Sequence, residues 1–152
     1  MQRILVVEDD ESSRDFLTRR LRAKNYEVFS YDGSNDVIEA IRETKPNAVL
    51  LDIMLPGVSG LDVLQAIREY WSPEQIAVIL VSGLDSSADV VRGLELGAND
   101  YVVKPINFPV LLARMRTSLA SVDSFTRLTQ EHETERKLSE LRVLSERLGS
   151  VV

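Results

Sequence analysis

The 152-residue chain has no cysteine. A disulfide framework and thiolate chemistry are thereby excluded, and the absence fits a reducing cytoplasm. Positive charge is in deficit too: the net charge is -6, which argues against the basic footprint that neutralising a nucleic-acid backbone requires. Long hydrophobic runs are also lacking. The opening apolar stretch ends after a few residues in Glu8, Asp9 and Asp10, too short and too soon acidic for a signal peptide or a membrane span. The expectation is a soluble chain that binds neither nucleic acid nor membrane through this segment.

What is present is enough apolar material, 44% of residues, to fill one core. It arrives in alternation. Ile4 to Val7 is a short β-rich run, continuous as in a strand buried on both faces. Ser12 to Lys24 sets Phe16, Leu17 and Leu21 at helical spacing, and Glu27 to Tyr31 reads as a weaker strand near an edge. Asp36 to Glu43 predicts a helix halted before Pro46; Ala48 to Leu51 predicts a strand ending on Asp52. A helix over Leu61 to Tyr70, a strand over Ile76 to Val81 and a helix over Ser86 to Leu96 follow, with Gly97 as the stop. Asp100 to Val103 is a short last strand, after which Asn107 caps a fifth helix that tolerates Pro109 in its first turn. Five β-then-α units in a row predict an α/β fold, a five-stranded parallel sheet doubly wound with helices on both faces.

In such sheets ligands sit beyond the carboxyl ends of the strands. Those ends carry Glu8, Asp9 and Asp10 on the first strand, Asp52 on the third, Ser82 on the fourth, and Lys104 with Pro105 on the fifth. Converging carboxylates repel and raise one another's pKa values, so positive charge must sit among them. Lys104 is one source and a hard divalent cation the other; an oxygen-only donor set suits Mg²⁺. An aspartate carboxylate can accept a phosphoryl group, leaving a hydroxyl and an ammonium to meet the phosphoryl oxygens. Acceptor, cation cage, hydroxyl and lysine are all in place.

Four segments carry a family likeness, in the right order: Ile4 to Asp10; Leu51-Asp52-Ile53-Met54-Leu55-Pro56-Gly57 through Gly60; Val81-Ser82-Gly83; and Gly97-Ala98-Asn99-Asp100-Tyr101 through Pro105. Over roughly residues 3 to 120 the chain resembles the receiver domain of two-component response regulators. The resemblance implies that Asp52 is the phosphoacceptor. It further implies that Asp9, Asp52 and the Met54 backbone carbonyl ligate Mg²⁺ directly, and Glu8 through a water. Ser82 becomes the switch hydroxyl, Lys104 the phosphate-binding lysine and Tyr101 the aromatic rotamer partner, with a Lys104-Pro105 bond that is often cis. A histidine kinase or phosphotransfer protein would be the donor. Ser82 stands where threonine is common, which keeps the donor and loses a methyl.

Several residues in and near these segments also admit blander roles. Asp10 can start a helix rather than bind metal, where an acid is favourable. Tyr101 can be a packed sheet aromatic, and Trp71 loop packing. Gly57, Ser59 and Gly60 read as turn residues. His132, the only histidine, reads as a solvated side chain and not as a phosphorelay histidine. Two other functions compete with the switch. An aspartate-nucleophile phosphohydrolase of the haloacid dehalogenase type wants a carboxylate two positions after the nucleophile, and Met54 stands there. A flavin-binding or signalling-dead interaction module would lack the acidic run or would have lost Asp52 or Lys104. The chain is therefore not expected to be a turnover enzyme, beyond self-phosphorylation from small donors and slow self-dephosphorylation.

Residues 1–120 are assigned to the receiver and 121–152 to a helical linker. No glycine or proline interrupts Val110 to Leu148, and Leu112, Met115, Leu119 and Val122 continue the apolar stripe. Leu138, Leu141, Leu144 and Leu148 resume it among charges after a polar stretch, Gln130 to Lys137, that breaks the heptad; Gly149 is a stop signal. A helix this long wants a partner for its stripe, which predicts a parallel coiled coil and a homodimer. The ending on Val151-Val152 suggests a removed output domain, such as a nucleotide cyclase, a diguanylate cyclase or a phosphatase.

Overall fold

The computed structural model describes residues 1–33, 36–83 and 87–149. Among the described residues, five strands alternate with five helices: β1 (Arg3–Val7), α1 (Glu11–Ala23), β2 (Glu27–Tyr31), α2 (Val37–Thr44), β3 (Ala48–Asp52), α3 (Gly60–Tyr70), β4 (Ala77–Ser82), α4 (Ser87–Glu95), β5 (Asp100–Val103) and α5 (Phe108–Gly149). All strand pairs are parallel, in the order β2-β1-β3-β4-β5. The weakly apolar β2 does lie at an edge.

Within the apolar runs, alternate residues serve opposite faces, as a pleat with period two demands. Ile4, Val6, Leu50 and Ile79 face the layer formed by α1 and α5, where Leu17, Leu21, Leu111 and Met115 meet them. Leu5, Val7, Leu51 and Leu80 face the other layer, against Ile41 of α2 and Leu64 and Ile67 of α3. α4 lies close over β4 at Gly93, where a Cβ would run into the Leu80 side chain.

Local signals set the element boundaries. Asp10, Asp36 and Ser59 each cap a helix by accepting a backbone N–H, from Ser13, Ile38 and Leu61 respectively. The Asp10 cap starts α1 one residue earlier than the expected Ser12. Phe16 is 41% exposed rather than part of the buried stripe; it lies at the edge of the helix face, under the Arg20 guanidinium, which also covers the Phe108 ring. Gly97 ends the α4 segment with φ +104°, a conformation that favours glycine. Ser86, the expected start of α4, falls outside the described residues. Asn107 caps α5 as expected, through Val110 N–H at 3.3 Å.

α5 is one unbroken helix of 42 residues, roughly 60 Å at 1.5 Å per residue. Val122 is its last buried residue, and every described residue beyond it is exposed. The polar stretch from Gln130 to Lys137 thus interrupts the apolar stripe without interrupting the helix.

Candidate functional site

Strand order reverses around β1, so β1 and β3 part their following loops and open a crevice at their carboxyl ends. Asp52 is the last residue of β3, a strand buried at every position, and is itself 2% exposed. Beside it, Glu8 directly follows β1 and is equally buried, while Asp9 is exposed. One carboxylate oxygen from each of Glu8, Asp9 and Asp52 falls within 4.8 Å of the others. Asp10 turns away to cap α1, accepting Ser13 N–H at 2.8 Å, and these bonds hold its carboxyl below the usual range.

Lys104 reaches in from the end of β5. Its Nζ donates to Asp52 Oδ2 at 2.7 Å and lies 3.4 Å from Glu8 Oε2. Asp52 Oδ1 accepts the Met54 backbone N–H at 2.9 Å. Desolvation pushes the Glu8 carboxyl from 4.5 up to about 7; the hydrogen bond with Asp52 and its charge act the same way, while Lys104 and the Asp10 N–H pull it down. Burial works against the Lys104 ammonium, but the hydrogen bond and charge of Asp52, joined by Glu8, outweigh it and hold Lys104 above its ordinary value.

Among the described residues, three carboxylates therefore gather here, two of them buried and both of those beside the Lys104 ammonium. Oxygen donors and surplus negative charge are what a hard divalent cation takes, so the residues fit a metal ion.

Ser82 ends β4 at 1% exposure, and its Oγ has no hydrogen-bond partner among the described residues. With Tyr101 and Val90 it lines a cavity of about 320 Å³ between α4 and β5. The Lys104-Pro105 peptide bond is cis. The Met54 side chain is 73% exposed, and the chain from Met54 to Ser59 closes on itself through an isolated bridge. Gly60 is more than a turn residue. A Cβ there would lie 2.7 Å from Ile53 Cα and run into the Asp52 carbonyl oxygen, so glycine lets α3 start against the strand end that carries Asp52. His132 is exposed on the far part of α5, away from these groups; Trp71 packs partly buried against the α2–α3 core.

Three arginines carried no sequence signal, Arg14 beside the site and Arg68 and Arg114 at the entrances of β4 and β5. Arg14 of α1 donates to the Glu8 carbonyl at 2.9 Å and the Asp9 carbonyl at 3.4 Å, holding the acidic loop from behind. Arg68 is partly buried with its guanidinium on the carbonyls of Gly97, Trp71 and Ile76 and on Asn99 Oδ1. Desolvation lowers it to about 10. Arg114 pairs with Asp100. Main-chain acceptors leave no trace in residue identity, and this is why the first two are silent. Only Asn99, polar at a strand entrance, hints at such a hub.

A doubly wound parallel sheet thus gathers a strand-end aspartate, an acidic pair and a lysine at one edge. The chain belongs to the response regulator receiver domain family, whose model matches residues 4–116. Among solved structures, the BeF3-activated N-terminal receiver domain of Klebsiella pneumoniae RstA is 36% identical, with TM-score 0.72 over 78% of this chain and 98% of that one. The receiver domain of the TMAO respiratory system response regulator TorR is 30% identical, with TM-score 0.74 over 80% of this chain and 99% of that one. A two-component system response regulator/GGDEF domain protein is 26% identical, with TM-score 0.76; the match covers 80% of this chain and 50% of that protein.

Proposed function

We propose that the chain takes a phosphoryl group on Asp52 from a histidine kinase or phosphotransfer protein and switches conformation in response. One observation carries this reading: a buried carboxylate at the end of a central strand, 2.7 Å from a lysine and within reach of two further acids. An Asp52 oxygen attacks phosphorus as the bond to the donor nitrogen breaks, giving an acyl phosphate and freeing the imidazole. Lys104 then has phosphoryl oxygens to meet in place of the carboxylate. The backbone N–H of Met54 keeps Asp52 oriented throughout. Glu8, Asp9, Asp52 and the Met54 carbonyl would hold Mg²⁺, Glu8 through a water. The ion supplies charge neutralisation and in-line alignment of the incoming group.

The donor has a place to sit. A groove of about 300 Å³ between α1 and the β5–α5 loop is lined by Phe16, Ile106 and Pro105 and borders Lys104. Asp52 opens toward the same end of the sheet. Ser82, with a buried hydroxyl lacking an acceptor, gains one when a phosphoryl oxygen arrives, and Tyr101 beside it adjusts.

The output runs along α5. Its exposed residues Leu138, Leu141, Leu144 and Leu148 support a parallel coiled coil between two copies. The match to half of a GGDEF-containing regulator supports a downstream effector domain. Residues 1–120 act as the receiver and the remainder as the linker. No described helix is long and apolar enough to cross a membrane, consistent with work in the cytoplasm. Turnover of small phosphate esters is not expected, because Met54 offers no carboxylate where a phosphohydrolase needs its acid.

The test adds beryllium fluoride and Mg²⁺ to the purified chain and follows the NMR resonances of Ser82, Tyr101 and Lys104. They are expected to shift in the wild type and stay put in Asp52→Ala. A wild type that ignores the mimic would sink the reading.

A further inference from the structure

Asp100 opens β5, and its Oδ1 accepts twice: from the Tyr101 backbone N–H at 2.8 Å and from Arg114 Nη1 at 2.8 Å. The same Arg114 guanidinium stands 5.5 Å from the centroid of the Tyr101 ring. Arg114 belongs to the second turn of α5, the helix that continues unbroken to Gly149. A closed triangle therefore joins the strand beside the site to the helix that leaves the domain. Its carboxylate holds the cation, and the cation covers the ring.

That ring borders the Ser82 cavity. Ser82 Oγ lacks a partner, a costly condition for a buried hydroxyl, so any acceptor built on Asp52 draws it across. The volume it leaves lies beside Tyr101. A ring that turns into this volume leaves the face of the guanidinium.

We propose that Arg114, held by Asp100, is a positioning residue that keeps the Tyr101 ring in its resting place and so sets the threshold of the switch. The proposal rests on Asp52 being the phosphoacceptor. Loss of the ring contact removes one of the two ties that Arg114 makes to β5, the Asp100 pair being the other, and the rod carries that loosening outward. Stability should depend little on the triangle, because the ion pair is half-exposed, at 41% and 25% side-chain accessibility. The switching equilibrium should depend on it, because only the resting state has a cation over the ring.

The test titrates the full chain with beryllium fluoride at saturating Mg²⁺ and reads the Tyr101 ring resonances. Wild type is compared with Arg114→Gln, Arg114→Lys and Asp100→Asn. In Arg114→Gln the ring signals should move toward their activated positions before ligand is added, and the midpoint should fall about threefold. Arg114→Lys keeps a cation without the planar face and should lie between the two. Asp100→Asn, which keeps an acceptor for both N–H groups, should shift in the same direction if Arg114→Gln folds poorly. Variants with wild-type ring signals and midpoints, against a wild type that responds, would overturn the triangle alone. A silent wild type would overturn the phosphoacceptor reading and take the triangle with it.

Discussion

Glu8 shows how one buried side chain ties stability to pH. Its carboxyl is raised from 4.5 to about 7, first by desolvation. In the metal-free chain the folded form therefore keeps a proton that the unfolded form sheds between these values. Its contribution to stability is complete below pH 4.5 and is lost as pH rises through about 7. Glu8→Gln should remove this loss, so wild type without Mg²⁺ should fall behind the variant across that window. Denaturant unfolding at several pH values checks it, and added Mg²⁺ should restore the wild type at the upper end. Asp52, Glu8 and Lys104 were legible because each stands where an apolar run stops, and a strand end needs no long-range knowledge. Arg14 and Arg114 were not, since their partners are a main-chain carbonyl and a side chain fourteen residues away.

At the scale of elements, period and punctuation carried most of the assignment. The β runs are short and continuous, and caps or glycine mark the helix ends, so boundaries moved by only a residue. Phe16 was the exception: its spacing fits the buried stripe, yet the face of α1 is filled by Leu17 and Leu21. α5 divides into two physical regimes. Up to Val122 it covers the sheet, and Met115 is fully buried there. Met115→Ala should cost about 2–5 kcal/mol, from lost transfer energy and the cavity left behind. Thermal unfolding of the receiver measures this, and a cost below about 1 kcal/mol would mean the helix does not close the core.

At the scale of the whole molecule, a receiver domain carries a long helical rod. From Ser121 onward the acids and bases nearly balance, six against five, so charge does not keep two rods apart. Sedimentation of the full chain should show a dimer that dissociates on dilution. Replacing Leu141 and Leu144 by lysine should give a monomer whose receiver still responds to beryllium fluoride. A wild type that remains monomeric at every concentration would remove the coiled coil.

The sequence by itself determined which residues end the strands, and hence which chemical groups were available, because strand periodicity and strand termini are local properties. It also determined the class of fold, since repeated β-then-α units leave a parallel sheet as the way to bury continuous apolar strands. Tertiary structure alone decided that β1 lies between β2 and β3, that Lys104 divides itself between Asp52 and Glu8, and that Arg114 reaches Tyr101. Those pairings join residues far apart in the chain. They are chosen by the packing of whole helices on the sheet, and no local pattern of residue types encodes them.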